Sequence, residues 1–209
     1  MNRVWAVVVM AVCAVSTSFA QERDSQLWAE FDIEVPLIKK LAAIGTQEFR
    51  LYDDMSTLAL YRTEAGMEYK LSSFLRLSAL YRIDVKSDEV EHTSLFNSTA
   101  KTDVGPIELS WRLRWQRDFF PDSAPEDVIR NKFSIDFEGG KIVPYIAAEI
   151  YYYTVEEQKG FNRFRWYAGI KREIDKHQDI EIYYLLQRAI GRKETELTTV
   201  LGLGYGFSF

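Results

Sequence analysis

Two histidines, His92 and His177, are the only imidazoles of the chain, and Cys13 is its single thiol. Acid–base or nucleophilic chemistry near neutral pH would run through one of these, because imidazole is the side chain that gains and loses a proton in that range. His92 stands beside Thr93 and Ser94, with Asp88, Glu89 and Glu91 just before it. A base, a hydroxyl and a carboxylate are the groups that a hydrolytic or lipid-modifying enzyme assembles. On a strand, adjacent residues point to opposite faces, so His92 shares a face with Ser94 and not with Thr93. His177 lies in Lys176-His177-Gln178, which reads as a surface turn. Metal chemistry has less to work with. There is no paired-histidine spacing, and the acidic runs at 84–91 and 122–127 lack the alternating ligands and central glycine of a calcium loop. Neither a metal nor a cofactor is expected.

The remaining chemistry-bearing residues are charges, and they recur at every second position. Glu30, Asp32 and Glu34 alternate with Ala29, Phe31, Ile33 and Val35, and Arg112 and Arg114 alternate with Trp111, Leu113 and Trp115. Arg163 and Arg165 flank Phe164 and precede Trp166, Asp136 falls between Ile135 and Phe137, and Glu149 falls between Ala148 and Ile150. A period of two places charge on one face of a strand and apolar bulk on the other. The elements that must position these charges are therefore strands, and no helix-period segment competes with them. The segments run at about 9–11 residues, the length that crosses a bilayer, where sandwich strands average about 5–6. Aromatics gather towards segment ends, as in Trp115 with Phe119 and Phe120 and in Tyr151 to Tyr153, where interfacial girdles are expected. On this register Arg112, Arg114, Arg163 and Arg165 form a positive ladder inside a closed barrel, facing the acids of the first and seventh strands.

Composition fits that reading once the two faces are separated. The 209 residues are 47% hydrophobic and 27% charged, with mean hydropathy -0.22. After position 20 no apolar run approaches the roughly 20 residues of a membrane helix. Residues 1–20 read as a cleaved signal peptide, with Arg3 ahead of the apolar stretch 4–15 and Ser18-Phe19-Ala20 at the cleavage point, leaving 21–209 as one domain. Val12 before Cys13 argues against a lipid anchor. The net charge of -5 becomes -6 once Arg3 leaves, and that acidic balance sets nucleic acid aside as a partner.

Connections between segments alternate short and long, as in Gly105-Pro106 against the stretch 120–127, which is the rhythm of hairpins in one membrane. About eleven segments can be counted. Single-chain bacterial barrels carry an even number, so the expectation is 10 to 12 strands, with 92–104 the weakest segment because of its polar Asn97-Ser98-Thr99. An odd count would make the first and last strands meet in parallel.

The final strand alternates Leu201, Leu203, Tyr205, Phe207 and Phe209 with glycine and serine. It resembles the closing strand of bacterial outer-membrane barrels, and that resemblance implies that Tyr205, Phe207 and Phe209 are read by the barrel-assembly machinery. The opening Leu27-Trp28 strand, the hairpin segment Ala65-Gly66-Met67-Glu68-Tyr69-Lys70-Leu71, Pro144-Tyr145-Ile146-Ala147-Ala148-Glu149, the stretch 162–170 and the stretch 201–207 together resemble the outer-membrane barrel family called domain of unknown function 2490. That family implies an outer-membrane β-barrel of a Gram-negative bacterium and supplies no activity. The expectation is an all-β, up-and-down transmembrane barrel, porin-like and monomeric, in contact with outer-membrane lipid and lipopolysaccharide. Its function would be structural, or that of a narrow passive solute channel with an ion-paired lumen. An enzyme barrel with His92 and Ser94 at the outer rim is the alternative.

Overall fold

The structure, a computed structural model, describes residues 23–120, 123–155, 159–190 and 197–209. The expected signal peptide lies outside the described residues, as do Cys13 and parts of the connections at 120–127, 156–160 and 191–196. Among the described residues there is no helix. The strands are β1 (Arg23–Ile38), β2 (Leu41–Tyr52), β3 (Thr57–Lys70), β4 (Leu75–Val85), β5 (Val90–Val104), β6 (Ile107–Phe119), β7 (Glu126–Phe137), β8 (Val143–Tyr153), β9 (Gly160–Glu173), β10 (Gln178–Ala189) and β11 (Leu197–Ser208). Each pairs antiparallel with the next, and β1 pairs with β11 to close a barrel.

The strand number falls within the expected 10 to 12 and matches the eleven segments counted in the sequence, in place of the even number usual for such barrels. Eleven described strands close because β1 and β11 run side by side in parallel, from Arg23 opposite Leu197 to Glu34 opposite Ser208. Parallel ladders use slanted but evenly spaced hydrogen bonds, so the seam leaves no edge unpaired. Both strands run towards one rim, here the carboxyl rim, where the backbone N–H of Phe209 donates to Glu34 O at 3.1 Å. The start of β1 lies at the opposite, amino rim. The weak segment is a full strand: β5 pairs with β6 from His92 opposite Phe119 to Val104 opposite Ile107. Its polar stretch is accounted for by Asn97, which faces inward, donating to Ser78 Oγ at 2.8 Å and accepting from Arg114 Nε at 2.6 Å.

Alternation fixes the two faces. Outward side chains such as Phe96, Phe133, Ile146, Trp166, Tyr184 and Leu203 are exposed, and many pack across strands: Phe31 stacks on Tyr205 at 5.6 Å and Phe96 on Trp115 at 5.3 Å. Such a belt far exceeds the isolated apolar patches that a water-soluble monomer exposes. One aromatic breaks the expected girdle. Tyr151 faces inward and is buried, in plain alternation with Tyr145, Ala147 and Glu149, while Tyr152 packs outward against Phe161 beyond an extra residue in β9.

The alternation of short and long connections holds only in part. Residues 105–106 join β5 to β6 in two residues, with Gly105 at φ 62°. At the same rim, however, 138–142 take five residues, more than the four at 53–56 on the amino rim. That tight amino-rim turn carries Asp53, Asp54 and Met55 at φ 51°, 54° and 65°, a left-handed run in which Met55 N donates to Ser25 O at 3.1 Å and ties the turn to β1.

Candidate functional site

The barrel interior is where the charges converge. Towards the amino rim the inward side chains pack to exclusion of water: Leu95 and Leu185 are 0% exposed, and Val128 and Val200 are nearly so. Among them lies Glu149 of β8, also fully enclosed. Arg130 from the adjacent β7 grips it with Nη2 at 2.9 and 3.1 Å from its two oxygens. Arg112 Nη2 reaches it at 3.3 Å and Arg165 Nη1 at 3.8 Å, while the hydroxyls of Tyr151 and Tyr167 donate to it at 3.2 and 3.1 Å. A carboxylate without water needs this many donors, because an unpaired buried charge costs several kcal/mol.

Two further chains of charge fill the same half. Arg50 and Arg62 both hold Glu48, and Arg62 continues to Asp84 at 2.5 Å. Arg82 pairs with Glu64 at 2.7 Å, and Arg114 lies 3.9 Å from the same carboxylate. Trp28 Nε1 donates to Gln26 at 2.9 Å, and its ring carries the Arg50 guanidinium at 3.7 Å and that of Arg165 at 5.2 Å. Stacked guanidiniums on an indole are held face-on by the ring quadrupole as well as by their acids.

Below this layer the lumen opens into a cavity of about 250 Å³, lined by Trp28, Glu30, Asp32, Arg112, Lys132, Arg165, Glu181 and others. The inward positions of β11 are Gly202, Gly204 and Gly206, over which the side chains of Tyr183, Glu181 and Asp179 of β10 lie. A side chain at Gly202 would collide with the ring of Tyr183. Nearer the carboxyl rim the inward cations are solvated: Lys171 is 39% exposed although the Asp136 it pairs with at 2.6 Å is buried, and the partly exposed Arg76 pairs with Glu68 at 3.1 Å.

The alternation placed Glu30, Asp32, Glu34, Arg112, Arg114, Asp136, Glu149, Arg163 and Arg165 on one face, and the side-chain contacts put them inside, Glu34 at the open carboxyl rim. The ladder facing the acids of strands one and seven requires correction. Arg112 and Arg165 converge on Glu149, Arg114 turns to Glu64, Arg163 lies over the Tyr151 ring at 5.3 Å, and Asp136 of β7 belongs to Lys171. Sequence reasoning missed Arg130 and Lys132, having begun the seventh segment at Phe133. Counting back from Asp136 by twos would have found both. It also missed the inward aromatics Trp28, Tyr145, Tyr167 and Tyr183, which share parity with the lumen charges.

The enzyme trio is not brought together. His92 faces outward, where its Nδ1 lies 3.1 Å from the hydroxyl of Tyr81. Ser94 shares that face but stands opposite Tyr81, not in contact with the imidazole. Glu91 and Glu89 both accept from Lys86 Nζ, at 2.5 and 2.8 Å. At this rim partial burial works against the Lys86 charge, but its bonds to Glu89 and Glu91 win and hold its pKa above the ordinary lysine value. The same bond from Lys86 holds Glu89 below the usual carboxylate range. The hydroxyl of Thr93 points inward, donating to Asp118 at 2.7 Å. His177 docks its turn on the last strand, with Nδ1 2.7 Å from Ser208 O. Tyr205, Phe207 and Phe209 face outward at the carboxyl rim, Phe207 edge-on to Phe209 at 4.9 Å. Among the described residues no cluster of three or more His, Cys, Asp and Glu offers a metal site.

A family model described as "Protein of unknown function (DUF2490)" matches residues 25–197, from the start of β1 to the first residue of β11. The chain belongs to this family. Its fold is similar to that of a solved structure titled "NanC porin structure in rhombohedral crystal form", with a TM-score of 0.53 and 9% sequence identity over 78% of this chain and 86% of that one. At that identity the likeness is one of fold. No curated protein matches the chain. This member of the family thus combines a porin-like closed barrel with a lumen half packed by ion pairs.

Proposed function

We propose that the chain is an outer-membrane barrel acting as a narrow, channel-like passage for small solutes, constricted by the Glu149 layer. The observation that carries this reading is the pairing of an outward apolar belt with a charged, partly hollow lumen in one closed barrel. Its strands, 11 to 16 residues long, exceed the 9–11 needed to cross a hydrocarbon layer when tilted. The porin-like fold and the family membership support the same class. Lipid and lipopolysaccharide would meet the belt, and Tyr205, Phe207 and Phe209 would serve as the assembly signal.

The test has two stages. Fractionation should place the folded, heat-modifiable protein with the outer membrane, and a periplasmic location would overturn the proposal. Reconstitution into a planar bilayer should then give small, discrete currents. Absence of current from folded protein would leave a sealed structural barrel in place of a passage.

A further inference from the structure

Glu30 and Asp32 of β1 and Glu181 of β10 line the cavity, and among the described residues none has a lysine or arginine nitrogen within 4.0 Å. Asp32 accepts from Thr46 Oγ1 at 2.5 Å, and Glu30 on the same face of β1 and Glu181 line the cavity beside Tyr145. Counting round the eleven-strand ring, β6 and β7 are the strands farthest from β1. They present Arg112 and Lys132 to the same cavity. Lys132 Nζ has no carboxylate oxygen within 4.0 Å and rests over the Tyr167 ring at 4.2 Å. Arg112 meets Glu149 through a single nitrogen at 3.3 Å, so most of its fork is uncommitted. In the layer above, Glu48, Glu64 and Glu149 each touch an arginine. Here carboxyl groups and cations stand on opposite walls with a hollow between them.

We propose that this cavity binds a small zwitterion, its ammonium against Glu30 and Asp32 and its carboxylate against Lys132 and Arg112. An ammonium carries three donors for a pair of carboxyl groups that have no cation beside them, and a carboxylate matches the open guanidinium fork. A simple anion would meet one wall and leave the other unsatisfied. The volume of about 250 Å³ exceeds the roughly 150 Å³ of an engineered cavity that holds benzene, room for a molecule of amino-acid size. Access is from the carboxyl rim, where the inward cations are solvated. The inference rests on the lumen being a passage and names the class of solute that the passage holds.

Isothermal titration calorimetry of the folded, detergent-solubilised barrel tests it with three probes of similar size: 4-aminobutyrate, butyrate and butylamine. The zwitterion should bind, and each single-charge probe should bind about tenfold or more weakly, as expected when one charged contact is lost. Lys132→Gln and, separately, the pair Glu30→Gln with Asp32→Asn should each weaken 4-aminobutyrate by about as much, heat-modifiable migration confirming that each variant is folded. Butyrate binding as tightly as 4-aminobutyrate would overturn the proposal, as would no binding by any probe. If the double variant does not fold, Lys132→Gln decides. Binding in detergent without bilayer current would sink the passage and keep the site; current without binding would do the reverse.

Discussion

Glu149 and Asp136 are buried inward carboxylates on neighbouring strands, each held by a cation from another strand, yet the cations that hold them meet different solvents. Glu149 is walled in by three arginines and two tyrosines and is shut off from water. Asp136 faces a lysine that is 39% exposed near the carboxyl rim. The same residue chemistry, period and barrel thus build a seal at one end and a wet vestibule at the other. What separates them is what surrounds each pair, since a cation–carboxylate contact gains little in water and becomes obligatory without it.

Removing the two acids is the strongest way to break that contrast. Glu149→Leu should cost about 3–5 kcal/mol, because Arg130, Arg112 and Arg165 would keep their charges without their shared partner. Asp136→Asn should cost less, about 1–2 kcal/mol, because the buried amide keeps acceptor capacity and the partly exposed lysine is free to turn to water. Urea midpoints of the folded barrel, read by heat-modifiable migration, would measure both. Equal losses would mean that the two halves are not different solvents.

Glycine substitutions probe the same boundary with a smaller effect. Gly202→Ala drives a methyl into the buried ring of Tyr183 and should cost about 1–3 kcal/mol, the usual range for overpacking. Gly206→Ala meets only the exposed carboxylate of Asp179, which can swing away, so its midpoint should scarcely move.

Conductance sharpens the comparison without unfolding anything. Trp28→Ala removes the indole between Arg50 and Arg165 and should raise single-channel current, whereas Arg76→Ala in the vestibule should leave it nearly unchanged. Equal effects would place the constriction elsewhere.

The smallest effect lies outside the lumen, at the Lys86–Glu89 bond of the β4–β5 connection. Glu89 has a lowered pKa, so its contribution is present above the unfolded carboxylate value and fades as pH falls through the lowered folded one. Lys86 has a raised pKa, so its contribution is complete below the unfolded lysine value and is lost as pH rises through the folded one. Amide exchange of residues 86–89, corrected for intrinsic rates, should therefore show greatest protection between those two limits and rise uniformly in Lys86→Ala.

Much of this architecture was legible in single strands. Alternation at Arg112–Arg114 or Arg163–Arg165 is a local property of the extended backbone, so the side facing the lumen could be read two residues at a time. Arg130 and Lys132 escaped only because the start of β7 was set too late, at Phe133. The trio around His92 did not form although parity keeps His92 and Ser94 on one face: that face is the outward one, where His92 meets Tyr81, and Lys86 engages Glu89 and Glu91. Tyr151 was legible too, since it stands two residues beyond the inward Glu149; the extra residue near Asn162, which turns Phe161 outward, was not, because bulges depend on the neighbouring strand.

The sequence by itself determined the strands, their two faces, the glycine-lined inner side of β11 and the odd count that looked like an error. Tertiary structure decided how that count closes, through a parallel seam, and which charge meets which. Arg112 finds Glu149 from 37 residues away and Lys171 finds Asp136 from 35. Period two says that a side chain points inward; only the register and curvature of the closed sheet say what it meets there, and whether water comes with it.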